Sequence, residues 1–179
     1  MHKFTGVLVL AALPLAAQSS GEFKRWEAYG HVGAGVSYDD EGSVGGGLFT
    51  GVGGGKRVTR RIGIEGEYTY FEHDRMIGLG AFRFKGSGHM VTGNFLYHFR
   101  PESKVQPFLL VGAGGLRYSD SDGPGFAWTG GMGLKAYVTD HIFLRPEVRL
   151  SSGRFDRVPL QPEPPLSNLR FQFGVGYRW

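Results

Sequence analysis

The sequence predicts an all-β fold, an eight-stranded antiparallel up-and-down transmembrane β-barrel. Three observations lead to it. Apolar residues alternate with small or polar ones at period two through segments of about ten to fourteen residues, which marks strands rather than helices. The connections between these segments are short and long by turns. The chain of 179 residues also holds 31 Gly and 14% aromatic residues with no Cys, so neither a collagen-like repeat nor a disulfide scaffold fits.

The elements follow in chain order. Met1, His2, Lys3 and Phe4, then the apolar run from Gly6 to Leu15 and the small residues Ala16 to Ser20, have the layout of a secretory signal. Residues 1–19 are expected to be that segment, cleaved after Ala17 or Ser19, and residues 20–179 to be the barrel domain. The apolar run is too short for a membrane helix, which needs roughly 20 residues. Trp26 to Tyr38 sets Val32, Ala34, Val36 and Tyr38 opposite His31, Gly33, Gly35 and Ser37. Val44 to Val58 follows, and Ile62 to Phe71 sets Ile62, Ile64, Tyr68 and Tyr70 against Glu65, Glu67 and Thr69. Gly88 to Phe99, Val105 to Tyr118 and Phe126 to Val138 are the middle strands. Ile142 to Ser151 sets Ile142, Leu144, Val148 and Leu150 against Arg145, Glu147 and Arg149. In the last strand Leu169, Phe171, Phe173, Val175, Tyr177 and Trp179 share one face, and Arg170, Gln172, Gly174, Gly176 and Arg178 the other.

Tight turns are expected at Thr59 to Arg61, Arg100 to Lys104 and Thr139 to His141. The other connections are Asp39 to Ser43, Asp74 to Ser87, Ser119 to Gly125 and the Pro-rich Ser152 to Ser167, the second and fourth being long. In bacterial barrels the short turns are periplasmic and the longer loops lie outside, which puts both termini in the periplasm.

A soluble sandwich would carry many Lys, Glu, Asp and Ser on its solvent faces. Here the second face is Gly with a few strong charges, and a bore of eight strands is just wide enough for side chains to fill it. Opposite charges buried there must meet, because a lone buried charge costs several kcal/mol. Glu65, Glu67 and Glu147 are therefore expected to form a lumenal ion-pair network with Lys135, Arg145, Arg149, Arg170 and Arg178. Aromatic girdles are expected from Trp26, Tyr97, Phe99, Tyr137 and Trp179 at one end, although Tyr137 has the wrong parity for the outside. Tyr38, Tyr70, Phe71, Tyr118, Phe126 and Trp128 would form the other.

The terminal Phe171 to Trp179 and the central Asn94-Phe95-Leu96-Tyr97-His98-Phe99, with Val105-Gln106-Pro107-Phe108 and Gly112-Ala113-Gly114, give the chain a family resemblance. It resembles the small porin-like eight-stranded outer-membrane barrels related to the transmembrane domain of outer membrane protein A, outer membrane protein X and the opacity proteins. The resemblance implies a bacterial outer-membrane location and a monomer among lipid and lipopolysaccharide. It also implies that Phe171, Phe173, Val175, Tyr177 and Trp179 act as the signal read by the barrel-assembly machinery, with Trp179 in place of the commoner final Phe.

Motifs for chemistry are weak. Gly131 to Ala136 fits a dinucleotide fingerprint in letters, but strand continues into Tyr137 and Val138 where a helix is needed. Gly51 to Arg57 lacks the glycine spacing and the Ser or Thr of a phosphate loop. Outer-membrane enzymes need a His held by a carboxylate. The deacylase type pairs its His with Ser two residues later, and none of His31, His73, His89, His98 or His141 has that neighbour. Asp140-His141 lies in a turn, and Glu72-His73-Asp74 is the one rim cluster worth testing. No Cys and no paired His spacing suggest a metal, no cofactor is expected, and a net charge of +4 without a basic cluster argues against nucleic acid. Arg75, Arg83 and Lys85 in the second outer loop and Arg154 and Arg157 in the fourth are expected contacts to lipopolysaccharide phosphates. The expected function is a structural or interaction role through the outer loops. A lipid A-modifying enzyme with a rim site near His73, or a narrow pore, is the alternative.

Overall fold

The computed structural model describes residues 24–38, 44–77, 82–119, 123–154 and 166–179. Eight strands run β1 Trp26–Tyr38, β2 Val44–Arg57, β3 Ile62–Ile77, β4 Phe82–His98, β5 Val105–Tyr118, β6 Gly125–Tyr137, β7 Ile142–Arg154 and β8 Leu166–Arg178. Each pairs antiparallel with the next, and β8 pairs with β1, so the sheet closes on itself. Closure removes the open edges that lipid has no hydrogen bonds to satisfy. At the seam Trp26 and Trp179 exchange backbone bonds of 3.1 and 3.0 Å.

The tight turns have a local cause. Thr59 and Thr139 open the homologous stretches Val58-Thr59-Arg60-Arg61-Ile62 and Val138-Thr139-Asp140-His141-Ile142. The Thr59 hydroxyl accepts from the amides of Arg61 and Ile62 at 3.2 and 3.0 Å, and Thr139 does the same for His141 and Ile142 at 3.2 and 2.9 Å. Such hydroxyl turns replace the bonds the backbone loses on reversing. In the third short turn Arg100 takes a left-handed φ of 49°.

Period two decides what faces where. Val32, Leu48, Val91, Met132 and Phe171 are each more than half exposed on the outer wall, an apolar belt that water would penalise. On the opposite face lie the buried charges, and glycines leave room for them. A Cβ on Gly133 would meet the Glu147 Cβ and the Phe108 ring at 2.7 Å, and one on Gly53 would run into the Tyr29 ring.

Two expectations are corrected. Phe71 and Tyr118 do not join the outer girdle; both are buried in the bore with Phe49, Met90, Leu116 and Ala127. Parity explains it, since Phe71 shares its face with Glu65, Glu67 and Thr69. The long loop expected from Asp74 to Ser87 is instead largely strand. β3 and β4 stay paired through Asp74↔Lys85 and Arg75↔Phe84 to Ile77↔Phe82. Cross-strand pairing satisfies backbone groups that a loop would leave to solvent. Likewise β7 reaches Arg154 and β8 begins at Leu166, so the fourth loop is shorter than expected at both ends. The expected signal segment 1–19 and Arg157 lie outside the described residues.

Candidate functional site

The bore is occupied by one continuous chain of opposite charges. Starting near the short-turn end, Arg57 Nε meets Glu27 at 2.9 Å, and Glu27 also pairs with Lys135. Lys135 reaches Glu65 at 3.0 Å, Glu65 meets Arg145 at 2.8 Å, and Arg145 meets Glu147 at 2.9 Å. Glu147 meets Arg149 at 2.6 Å, Arg149 meets Glu67 at 2.7 Å, and Glu67 meets Arg170 at 3.2 Å. Cation and carboxylate alternate at every step, and each carboxylate is shared by two cations. Every member is under 5% exposed. That arrangement is what burial requires, because a charge withdrawn from water needs both a partner and satisfied hydrogen bonds.

Neutral groups fill most of the remaining sites, leaving Arg145 Nη2 and Arg170 Nε without a protein partner among the described residues. The Tyr29 hydroxyl lies 2.7 Å from Glu67 and 3.2 Å from Glu65, Thr69 donates to Glu67 at 3.1 Å, and Gln172 donates to Glu147. Arg57 donates to Gln106 at 2.7 Å and to the Tyr137 hydroxyl at 2.6 Å. Arg145 lies over the Tyr29 and Phe108 rings at 4.0 and 4.8 Å, so the aromatic faces solvate it from the sides. Toward the loop end, among the described residues, Phe49, Phe71, Met90, Leu116 and Tyr118 follow the charges and cap the bore. A cavity of about 10 Å³ separates Arg170 and Asn168 from this cap, room for about one water.

The structure brings together Glu65, Glu67, Lys135, Arg145, Glu147, Arg149 and Arg170. Arg178, expected among them, stands apart. It is registered opposite Glu27, but the Glu27 oxygens are already taken by Arg57, Tyr137 and Lys135. Arg178 instead donates to the Asp140 carbonyl at 2.9 Å and lies 3.7 Å over the Tyr137 ring at the mouth. Glu27 and Arg57 were missed by the sequence reading. Both carry the lumenal parity of their strands, Glu27 with His31 and Arg57 with Gly51 and Gly53, and that signal was enough to find them.

Residues 5–178 match the family model described as the outer membrane protein beta-barrel domain. The chain belongs to this family. It is a protein of the bacterial outer membrane. Among solved structures, the barrel is similar to Neisserial surface protein A (NspA), at 14% identity and a TM-score of 0.67 over 87% of this chain and 97% of that one. It is similar to the outer membrane protein OprG from Pseudomonas aeruginosa, at 13% identity and 0.59 over 87% and 97%. It is also similar to the outer membrane enzyme PagL, at 15% identity and 0.56 over 80% and 97%. At these identities the likeness is one of fold. No curated protein matches the chain in sequence.

The remaining motifs of this outer-membrane barrel find places in its wall. Gly131 and Gly133 lie within β6, where Gly131 sits opposite Arg149. His141 forms a turn cluster in which its Nδ1 lies 3.0 Å from the Arg178 carbonyl and its Nε2 lies 3.1 Å from Lys24 Nζ. His73 pairs through its backbone with Gly47 and Gly86; its side chain lies outside the described residues. Among the described residues, no three of His, Asp and Glu stand as a metal cage.

Proposed function

We propose that the protein is a sealed outer-membrane anchor that presents its loop end for adhesion, envelope integrity or ligand contact, and that it carries no catalysis of its own. The observation that supports this is the filled bore. The charge chain from Arg57 to Arg170, followed by the Phe49–Phe71–Leu116 cap, occupies the bore along the described residues. A rigid closed barrel of this kind holds the four connections at its loop end at fixed positions, which is what recognition segments need.

The contacts to lipopolysaccharide phosphates fall to Arg75, Arg83 and Lys85 on the extended β3–β4 hairpin, with Arg154 at the end of β7 and Arg157 beyond it in sequence. Binding that is unchanged after replacing all five would remove this part. Phe171, Phe173, Val175, Tyr177 and Trp179 serve as the assembly signal, and the barrel works as a monomer.

The deciding experiment is single-channel recording of the refolded chain in planar bilayers, where no unitary conductance is expected. Steady openings would replace the anchor with a pore. PagL is described as an outer membrane enzyme, so the same preparation is also incubated with lipid A. Acyl release that disappears in His73→Ala would replace the anchor with an enzyme.

A further inference from the structure

The bore does not balance its charges. Among the described residues, five cations are buried in it, Arg57, Lys135, Arg145, Arg149 and Arg170, against four carboxylates, Glu27, Glu65, Glu67 and Glu147. One positive charge is left over, since a guanidinium keeps its proton in any protein and His31 and His98 bring no anion. The surplus falls at an end of the charge chain, because Lys135, Arg145 and Arg149 each touch two carboxylates. Arg57, at one end, meets Glu27 and adds two neutral acceptors, the Gln106 amide oxygen at 2.7 Å and the Tyr137 hydroxyl at 2.6 Å. Arg170, at the other end, has one carboxylate contact among the described residues, to Glu67 at 3.2 Å, and its Nε is buried without a partner.

Two further observations place the surplus at Arg170. Arg149 and Arg170 are direct partners across β7 and β8, and both are buried in the bore. Like charges directly opposite each other destabilise a sheet, and here the single Glu67 carboxylate is divided between the two guanidinium groups. Beside Arg170 lies the cavity of about 10 Å³, with Arg170, Asn168 and Ser151 on its polar side and the apolar cap on the other. Asn168 turns its carbonyl oxygen to the Ser37 hydroxyl, so what it still has to give is its amide N–H groups. Arg145 Nη2 is also unpartnered, but that guanidinium meets two carboxylates and lies against the Tyr29 and Phe108 rings.

We infer that this cavity is a binding site for a small monovalent anion of the chloride class, held by Arg170 Nε with the Asn168 amide beside it. A water there satisfies the Nε hydrogen and leaves the charge uncompensated, which is the costly part of burying it. A phosphate or an organic carboxylate is too large for a space of about one water. Chloride is only slightly larger than water, carries the one negative charge the bore lacks and accepts N–H donors from any direction. With it in place the bore holds as many negative charges as positive ones, and the Arg149–Arg170 pair gains a second counter-ion. The site is enclosed by the wall and the cap, so it goes beyond the sealed-anchor reading and does not rest on what the loops contact.

The test refolds the full chain in sodium chloride, sodium bromide or sodium gluconate at equal ionic strength, so that the anion is enclosed as the barrel closes. After heating in each salt, the temperature at which the folded band is lost from a gel should lie several degrees higher in chloride and bromide than in gluconate. It should rise with chloride concentration to the slow logarithmic dependence of one saturable site. Arg170→Gln removes both the surplus charge and the donor, and should bring the three salts to one temperature. Crystals of the parent chain grown in bromide should show an anomalous scattering peak beside Arg170 Nε, an arm that needs no variant and decides the matter if Arg170→Gln gives no folded band. Equal temperatures for the parent in the three salts, or bromide crystals without that peak, would overturn the inference. A chloride advantage that survives Arg170→Gln would be general salt action and would overturn the placement.

Discussion

Arg149 and Glu67 meet across the full bore. Arg149 stands on β7 and Glu67 on β3, four strands apart in a ring of eight, yet the guanidinium grips the carboxylate with two bonds of 2.8 and 2.7 Å. Arg145 and Glu65 repeat the span one pleat away at 2.8 and 3.0 Å. The Arg149 fork and the single Arg145 Nη1, which reaches both Glu65 oxygens, tie opposite walls together, and several expectations depend on them.

Glu67→Gln leaves Arg149 and Arg170 without their shared anion. Removing one partner of a buried pair costs about 3–5 kcal/mol, because the other charge stays in place uncompensated. Urea unfolding in lipid vesicles should show a loss in that range, and a loss below about 1 kcal/mol would mean water reaches the pair.

Replacing Arg149 and Glu67 together with alanine should leave the barrel closed to ions, because the cap of Phe49, Phe71, Met90, Leu116 and Tyr118 lies beyond the charges. Adding Phe71→Ala and Leu116→Ala opens only the loop end, since Arg57, Glu27, Lys135, Glu65 and Arg145 still fill the other half. Openings in planar bilayers should appear only when Glu65 and Arg145 are replaced by alanine as well. Conductance from the alanine pair alone would show that the cap does not seal.

Gly133→Val should reduce or abolish the heat-modifiable folded band on a gel, because the new side chain meets Glu147 and Phe108 within a filled bore. Gly93→Ala is the control. Its Cβ meets nothing within 4 Å, and the variant should fold as the parent does.

Arg100→Gly relieves a left-handed residue in the β4–β5 turn. A non-glycine residue there costs about 1–2 kcal/mol, partly offset by the unfolded-state entropy of glycine. Equilibrium unfolding should show a change from neutral to a gain of about 1 kcal/mol, whereas Arg100→Val should lose stability.

Much of the barrel was legible in one dimension. In a closed sheet the side chain period is two and one face meets lipid, so Phe171, Phe173 and Val175 declare the outside and Arg170 and Gln172 the bore without any partner being known. The same parity applied to Phe71, Tyr118, Glu27 and Arg57 would have placed them inside too. The extension of β3 and β4 to Ile77↔Phe82 was harder to read, because polar Glu72 to Arg75 resembles a loop until its partner strand is beside it.

Alternation, turn chemistry and composition are local properties, and from them the sequence by itself determined a chain of strands with one greasy face, one charged face and three tight reversals. Which cation meets which carboxylate was decided only by the tertiary structure. Closure and stagger set the height at which each strand delivers its charge, so Arg149 finds Glu67 on the far wall while Arg178, of correct parity, arrives at the mouth with Glu27 already engaged.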